Sequence, residues 1–216
     1  MSLINRLFRT DREVNDVNIS HLGNVKIPDV VSFLEIGCGN GYITEYISDK
    51  TRASLIGIDL ANEAIERANR RVKNKSNRLT FVAEDIQNLD YEEGAFDAII
   101  SIDSLYFLNL PNTLDRLNNV LKPGGKMFIF YHFPPSKDNN KSDLAEKSRF
   151  GQLLMKEGFD YRAIDFTEAN YNHWQLKEKV LENLEDEFEE EGNSFLFNNQ
   201  MIECRGGLEN FTVIYF

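Results

Sequence analysis

Cysteine is scarce: Cys38 and Cys204 are the only two in 216 residues, too few for a disulfide framework, so free thiols and no metal centre are expected. No apolar run approaches the ~18 residues of a membrane span, and Met1 to Thr10 holds no apolar block of signal-peptide length. No membrane association is therefore expected, and the expected location is the cytoplasm. Positive charge is also short. Twenty-four Lys and Arg against 35 Asp and Glu leave a net −11, which repels polyanions, so no nucleic-acid partner is expected. Internal repeats and low-complexity tracts are missing as well.

What is present is core material. The chain is 42% hydrophobic and 12% aromatic, with 27% charged residues, close to the roughly 25% of ordinary globular chains. Its length suits one domain with an appendage.

From residue 30 to 133 short apolar runs alternate with helical patterns. The runs are 30–36, 54–58, 79–83, 96–102 and 126–133, mostly continuous, as strands buried on both faces are. Between them, 62–73 places Ala64, Ile65, Ala68 and Val72 on one helical face. Its acidic residues come early and its arginines late, which suits the helix dipole and a solvated face. Pro111 suits a first helical turn, and Pro123-Gly124-Gly125 stops that helix. A helix over 144–157, a strand over 161–166 and a closing strand over 211–216 complete the pattern. The expected fold is α/β, a Rossmann-like, seven-stranded, mostly parallel sheet with helices on both faces and a helical insertion between the last two strands. The expected domains are an N-terminal helical segment over 1–29, the core over 30–166, the insertion or lid over 167–208, and a last strand over 209–216. In the insertion, Trp174, Leu181, Leu184 and Phe188 keep roughly heptad spacing, and the densely acidic run over 178–191 is read as a solvated face.

The most specific signal is Glu35-Ile36-Gly37-Cys38-Gly39-Asn40-Gly41, where an apolar run enters a loop with glycine at every second position and then a helix. Such glycines let backbone approach a ligand closely. A dinucleotide fingerprint would read G-x-G-x-x-G, with pyrophosphate on the helix N-terminus. Here the spacing is G-x-G-x-G, and Asp59 ends the second strand 18 positions after Gly41. An adenosine ribose is indicated; a pyrophosphate is not.

Together with Gly57-Ile58-Asp59-Leu60, Ala83-Glu84-Asp85-Ile86 and Leu121-Lys122-Pro123-Gly124-Gly125-Lys126, in this order, the loop resembles the class I S-adenosylmethionine-dependent methyltransferases of small-molecule type. The resemblance covers 30–133 well and the rest loosely. It implies S-adenosylmethionine as cofactor, S-adenosylhomocysteine as product and a small-molecule acceptor as partner. It further implies that Gly37, Cys38, Gly39 and Gly41 pack on the methionine and ribose portions, and that Asp59 accepts from the ribose hydroxyls. Asp85 would take the adenine amino group, Ile86 would donate backbone N–H to adenine, and Leu60 would wall it. The Ser101 carbonyl would accept from the methionine ammonium, with Glu35 bracing the loop or meeting that ammonium through water.

The segment after the fourth strand, Ser101-Ile102-Asp103-Ser104-Leu105-Tyr106, lacks the paired prolines of methyltransferases acting on amide or exocyclic nitrogens. A small, neutral or cationic metabolite is the expected acceptor. Asp103, Tyr106, Tyr131, His132, Tyr171, His173 and Trp174 are candidates to line its pocket, with burial in a core as the alternative for the aromatics. Catalytic residues and oligomeric state are not legible. Two other readings stay open: a noncatalytic S-adenosylmethionine binder, and a nicotinamide-dependent oxidoreductase.

Overall fold

The computed structural model describes residues 32–51, 53–75, 77–133, 144–210 and 212–215. The expected N-terminal helical segment, 1–29, lies outside the described residues. These divide into two compact units, one built from 32–131 and 145–163, the other chiefly from 164–214.

In the first unit five strands alternate with helices: β1 Ser32–Ile36, β2 Ser54–Asp59, β3 Leu79–Ala83, β4 Phe96–Ile102 and β5 Leu121–Phe133. Their order is β3-β2-β1-β4-β5. Each neighbouring pair is parallel, with Ile36 opposite both Ile58 and Ser101. That register aligns the carboxyl ends of β1, β2 and β4, where open parallel sheets hold ligands. The continuous apolar runs are explained by burial on both faces: Leu34, Leu55, Ile58, Ile99 and Ile100 are almost fully enclosed. Five of the seven expected strands form the parallel sheet of this unit. The run at 161–166 yields only a two-residue strand, β6 Ile164–Asp165, and the last, β7, is Thr212–Tyr215.

Helix α1, Tyr42–Thr51, follows the glycine loop, and α2, Asn62–Arg71, follows β2. Helix α3, Leu110–Val120, carries Pro111 in its first turn and buries Thr113, Leu114, Leu117 and Val120. The expected helix over 144–157 is two, α4 Leu144–Lys147 and α5 Arg149–Lys156. Ser148 breaks it: its hydroxyl donates to the Ala145 carbonyl at 2.6 Å and accepts from Gly151 N–H at 2.9 Å, an N-cap that restarts the helix.

The second unit holds α6 Thr167–Glu182, α7 Glu185–Glu190 and α8 Ser194–Asn210. Leu181, Phe188, Phe197, Met201 and Cys204 form its core, with Trp174 packed against them. Gly207 is required there because a Cβ would lie 2.4 Å from the Trp174 ring. No described helix is long and apolar enough to cross a membrane. Both cysteines are buried.

Candidate functional site

Between β1 and α1 the chain turns through Gly37, Gly39 and Gly41, all in the left-handed region at φ +69°, +52° and +71°. Their reasons differ. A Cβ on Gly37 would sit 2.0 Å from Ser104 Oγ, and one on Gly41 2.3 Å from the Phe81 ring, so these two are glycine for packing as well as for backbone. A Cβ on Gly39 would meet nothing within 4 Å. That position is open.

Asp59, at the end of β2, fixes the open glycine. Its Oδ2 accepts from Gly39 N–H at 2.8 Å, and its Oδ1 from Ala61 N–H at 2.8 Å, where α2 begins. The Cys38 amide donates to the Ile58 carbonyl at 3.0 Å, and Gly41 N–H to the Cys38 carbonyl at 2.8 Å. Arg71 closes the outer side of the loop: it donates to the Asn40 carbonyl at 2.6 Å, pairs with Glu45 at 2.8 Å, and lies 3.9 Å over the Tyr42 ring. The arginine cluster of α2 is therefore not uniformly a solvated face. Arg67 and Arg70 are exposed in loose i,i+4 pairs with Glu63 and Glu66, whereas Arg71 binds the loop.

Beneath the loop Glu35 is only 2% exposed and accepts from the Thr44 hydroxyl. Burial raises its carboxyl from the ordinary 4.5 to about 7; the Thr44 hydrogen bond opposes this and the Asp59 charge adds to it. Burial likewise pushes the Cys38 thiol well up, aided by Glu35 and Asp59. This cysteine is a small buried group and not a nucleophile.

A cavity of about 290 Å³ opens at these strand ends, lined by Gly37, Asp59, Leu60, Glu84, Ile86 and Asp103 among others. Leu60, one of several apolar lining residues, is 70% exposed. Of the residues expected around a cofactor, Gly37, Asp59, Leu60 and Ile86 reach this wall, and Gly39 is tied to it through Asp59. Glu35, Cys38 and Gly41 are not among the lining residues. The Asp85 carboxylate caps its own turn, accepting from Gln87 N–H at 2.9 Å and Asn88 Nδ2 at 3.3 Å. Ser101 is buried, its hydroxyl without a hydrogen-bond partner. Glu84, Ser104 and Leu108, which no sequence motif singles out as site residues, also line the cavity. Glu84, held by the Tyr91 hydroxyl at 2.9 Å, is the neighbour of Asp85, and which of the two faces the cavity depends on how the chain leaves β3.

Asp103 stands across the cavity mouth. It has φ +51°, a conformation that non-glycine residues rarely adopt, and is exposed. Tyr106 donates to its Oδ1 at 2.9 Å. The Tyr106 ring meets Tyr131 at 4.5 Å, and Tyr131 stacks on Phe150 at 4.9 Å with 6° between planes. Burial raises the Tyr131 phenol, and the Arg149 charge opposes that shift. The His132 side chain lies outside the described residues. Tyr171 is exposed, with its hydroxyl 3.3 Å from Gln175 Nε2, and His173 meets Trp174 edge to face at 4.9 Å, both in the helical unit. Among the described residues no group of His, Cys, Asp and Glu could hold a metal ion.

Residues 33–125 match the family of methyltransferase domains. The chain is 31% identical to the sterol 4-C-methyltransferase strm-1 of Caenorhabditis elegans, over 76% of this chain and 50% of that protein. It is 29% identical to the human mitochondrial arginine-hydroxylase NDUFAF5, over 65% of this chain and 45% of that one. The chain thus spans about half the length of the curated relatives it matches. Among solved structures, phosphoethanolamine N-methyltransferase 2 of Haemonchus contortus, in complex with phosphomonomethylethanolamine and S-adenosylhomocysteine, superposes with a TM-score of 0.76 at 19% identity. That match covers 86% of this chain and 48% of the other, a likeness of fold.

Proposed function

Residues 33–125 form a methyltransferase domain of the class I S-adenosylmethionine-dependent family, and from that premise we propose that the chain binds S-adenosylmethionine and methylates a small-molecule acceptor. The observation that carries the reading is the loop itself: Gly37 lines the cavity, a Cβ on Gly39 would enter open space, and the Gly39 amide is fixed by Asp59, the lining carboxylate that closes the β2 end. A cradle that a Cβ would fill, beside an acidic residue and an exposed Leu60, fits an adenosyl group. Asp59 would hold the ribose hydroxyls, since each of its oxygens has a second lone pair beyond its backbone bond. Leu60 and Ile86 would flank adenine, and the loop amides and the Ser101 carbonyl would meet the amino-acid portion.

When bound, the cofactor supplies an electrophilic sulfonium methyl, displaced in line by an acceptor lone pair while the sulfur keeps the electrons of the broken C–S bond. The chain's own task is positioning and exclusion of water.

The arginine-hydroxylase relative makes the product the deciding readout. Purified protein incubated with S-adenosylmethionine and a panel of amine, carboxyl, hydroxyl and thiol acceptors is expected to release S-adenosylhomocysteine with at least one class. Binding of S-adenosylhomocysteine without release from any acceptor would favour the noncatalytic reading. A melting temperature raised by NADH and not by S-adenosylhomocysteine would favour the oxidoreductase.

A further inference from the structure

Two carboxylates leave β3 side by side, and the chain puts them to different uses. Glu84 is a lining residue of the cavity; Asp85 is not. Asp85 spends both oxygens on its own turn, Oδ1 on Gln87 N–H at 2.9 Å and Oδ2 on Asn88 Nδ2 at 3.3 Å. Its backbone is extended, at φ −85° and ψ 119°. Successive side chains of extended backbone point to opposite sides, so the turn takes Asp85 and the wall takes Glu84.

Glu84 is held from two directions. Its N–H donates to the Asp59 carbonyl at 3.0 Å, which continues the β2–β3 ladder past the Asp59–Ala83 pair. Its Oε2 accepts from the Tyr91 hydroxyl at 2.9 Å, and the Tyr91 ring meets Phe96, buried at the start of β4, edge to face at 5.1 Å. Burial pushes the Tyr91 phenol well up, and the Glu84 hydrogen bond and charge add to that shift, so the phenol stays a donor and the carboxylate an acceptor. A carboxylate has about four lone-pair sites, and one phenol leaves it able to accept from a ligand.

Glu84 therefore presents an acceptor in the same wall as Asp59, which suits ribose hydroxyls, and Ile86. An acceptor-only side chain selects a donor, and the N–H donor of an adenosyl purine is its 6-amino group. Resting on the methyltransferase reading, we propose that Glu84, oriented by Tyr91, recognises the adenine amino group, the role that the family resemblance implies for Asp85. A 6-oxo purine sets an acceptor oxygen against that carboxylate and is rejected.

The probes are S-adenosylhomocysteine and S-inosylhomocysteine, which differ in the 6-amino and 6-oxo groups, each titrated calorimetrically. Failure of S-adenosylhomocysteine to bind the wild type would sink the methyltransferase reading and this proposal with it. The wild type is expected to bind the amino ligand at least tenfold more tightly than the oxo ligand. Glu84→Gln keeps an oxygen for Tyr91 and can turn its amide toward a 6-oxo group, so it should bring the two ligands within threefold. Asp85→Asn, which keeps an oxygen for Gln87 N–H, should retain the tenfold preference. Tyr91→Phe should lower the preference several-fold while changing affinity for the oxo ligand by less than twofold, a split that a purely structural role of Tyr91 would not produce. Equal binding of the two ligands by the wild type would overturn the proposal. So would a preference that survives Glu84→Gln or is lost in Asp85→Asn, and all three results leave the cofactor reading standing.

Discussion

The two flanks of the cavity are built by different means. On the β1 flank the backbone does the work: three left-handed glycines turn the chain, and the side chains that secure them, Asp59 and Arg71, reach in from elsewhere to grip the loop backbone. On the β4 flank the backbone is equally left-handed at Asp103, but there a side chain is presented at the cost of strain. A backbone-built flank tolerates few substitutions. A side-chain-built flank can be altered residue by residue without dismantling the fold.

That contrast breaks first if the loop glycines prove dispensable. Gly37→Val should be the most damaging change, because its Cβ would fall within Ser104 at a backbone angle that valine resists. A loss of ~3 kcal/mol or more is expected by urea denaturation. Wild-type stability would mean that the loop is not packed as described.

Next comes Glu35. Its carboxyl holds a proton to about pH 7 when folded but only to its ordinary 4.5 when unfolded. The folded state therefore binds more protons between those values, and stability falls as pH rises from ~4.5 to ~7. Glu35→Gln should flatten that slope and gain ~1 to 3 kcal/mol above pH 7. An unchanged pH profile of the melting temperature would show that Glu35 is ionised at rest.

Arg71→Ala should cost about 1 to 2 kcal/mol, since it removes a partly buried ion pair, a carbonyl hydrogen bond and a cation–π contact together. It should also weaken S-adenosylhomocysteine several-fold, whereas Arg70→Ala should do neither. Equal effects at the two arginines would return both to a solvated face. Tyr106→Phe is expected to be the mildest, under ~1 kcal/mol in stability, because it removes one hydrogen bond at an exposed carboxylate. Its effect should appear in the KM of the acceptor and not in cofactor affinity, and the reverse pattern would dissolve the division between the flanks.

The backbone-built flank was the legible one. Continuous apolar runs and glycine spacing are local signals, so β1 to β4 and the loop could be read within a residue or two of their ends. The Asp85 carboxylate, Arg71 and Ser148 were read less well because each depends on a partner or on a turn geometry that no periodicity encodes. Ser148 splits a helix through its own hydroxyl, and Arg71 differs from Arg70 only in meeting Asn40 and Glu45 across the fold. The stack of Tyr106, Tyr131 and Phe150 joins three distant stretches of chain. Sequence could nominate the two tyrosines but not bring them together with the phenylalanine.

Whether Gly39 and Asp59 form a cofactor cradle is decided by calorimetric titration of S-adenosylhomocysteine into wild-type, Gly39→Val and Asp59→Ala proteins. We expect one site per chain in the wild type and at least tenfold weaker binding in both variants. For Asp59 this corresponds to ~1.5 to 3 kcal/mol per charge-assisted hydrogen bond before non-additivity. Circular dichroism should show both variants folded. Binding unchanged within twofold in both folded variants, or no binding to the wild type, would contradict the account.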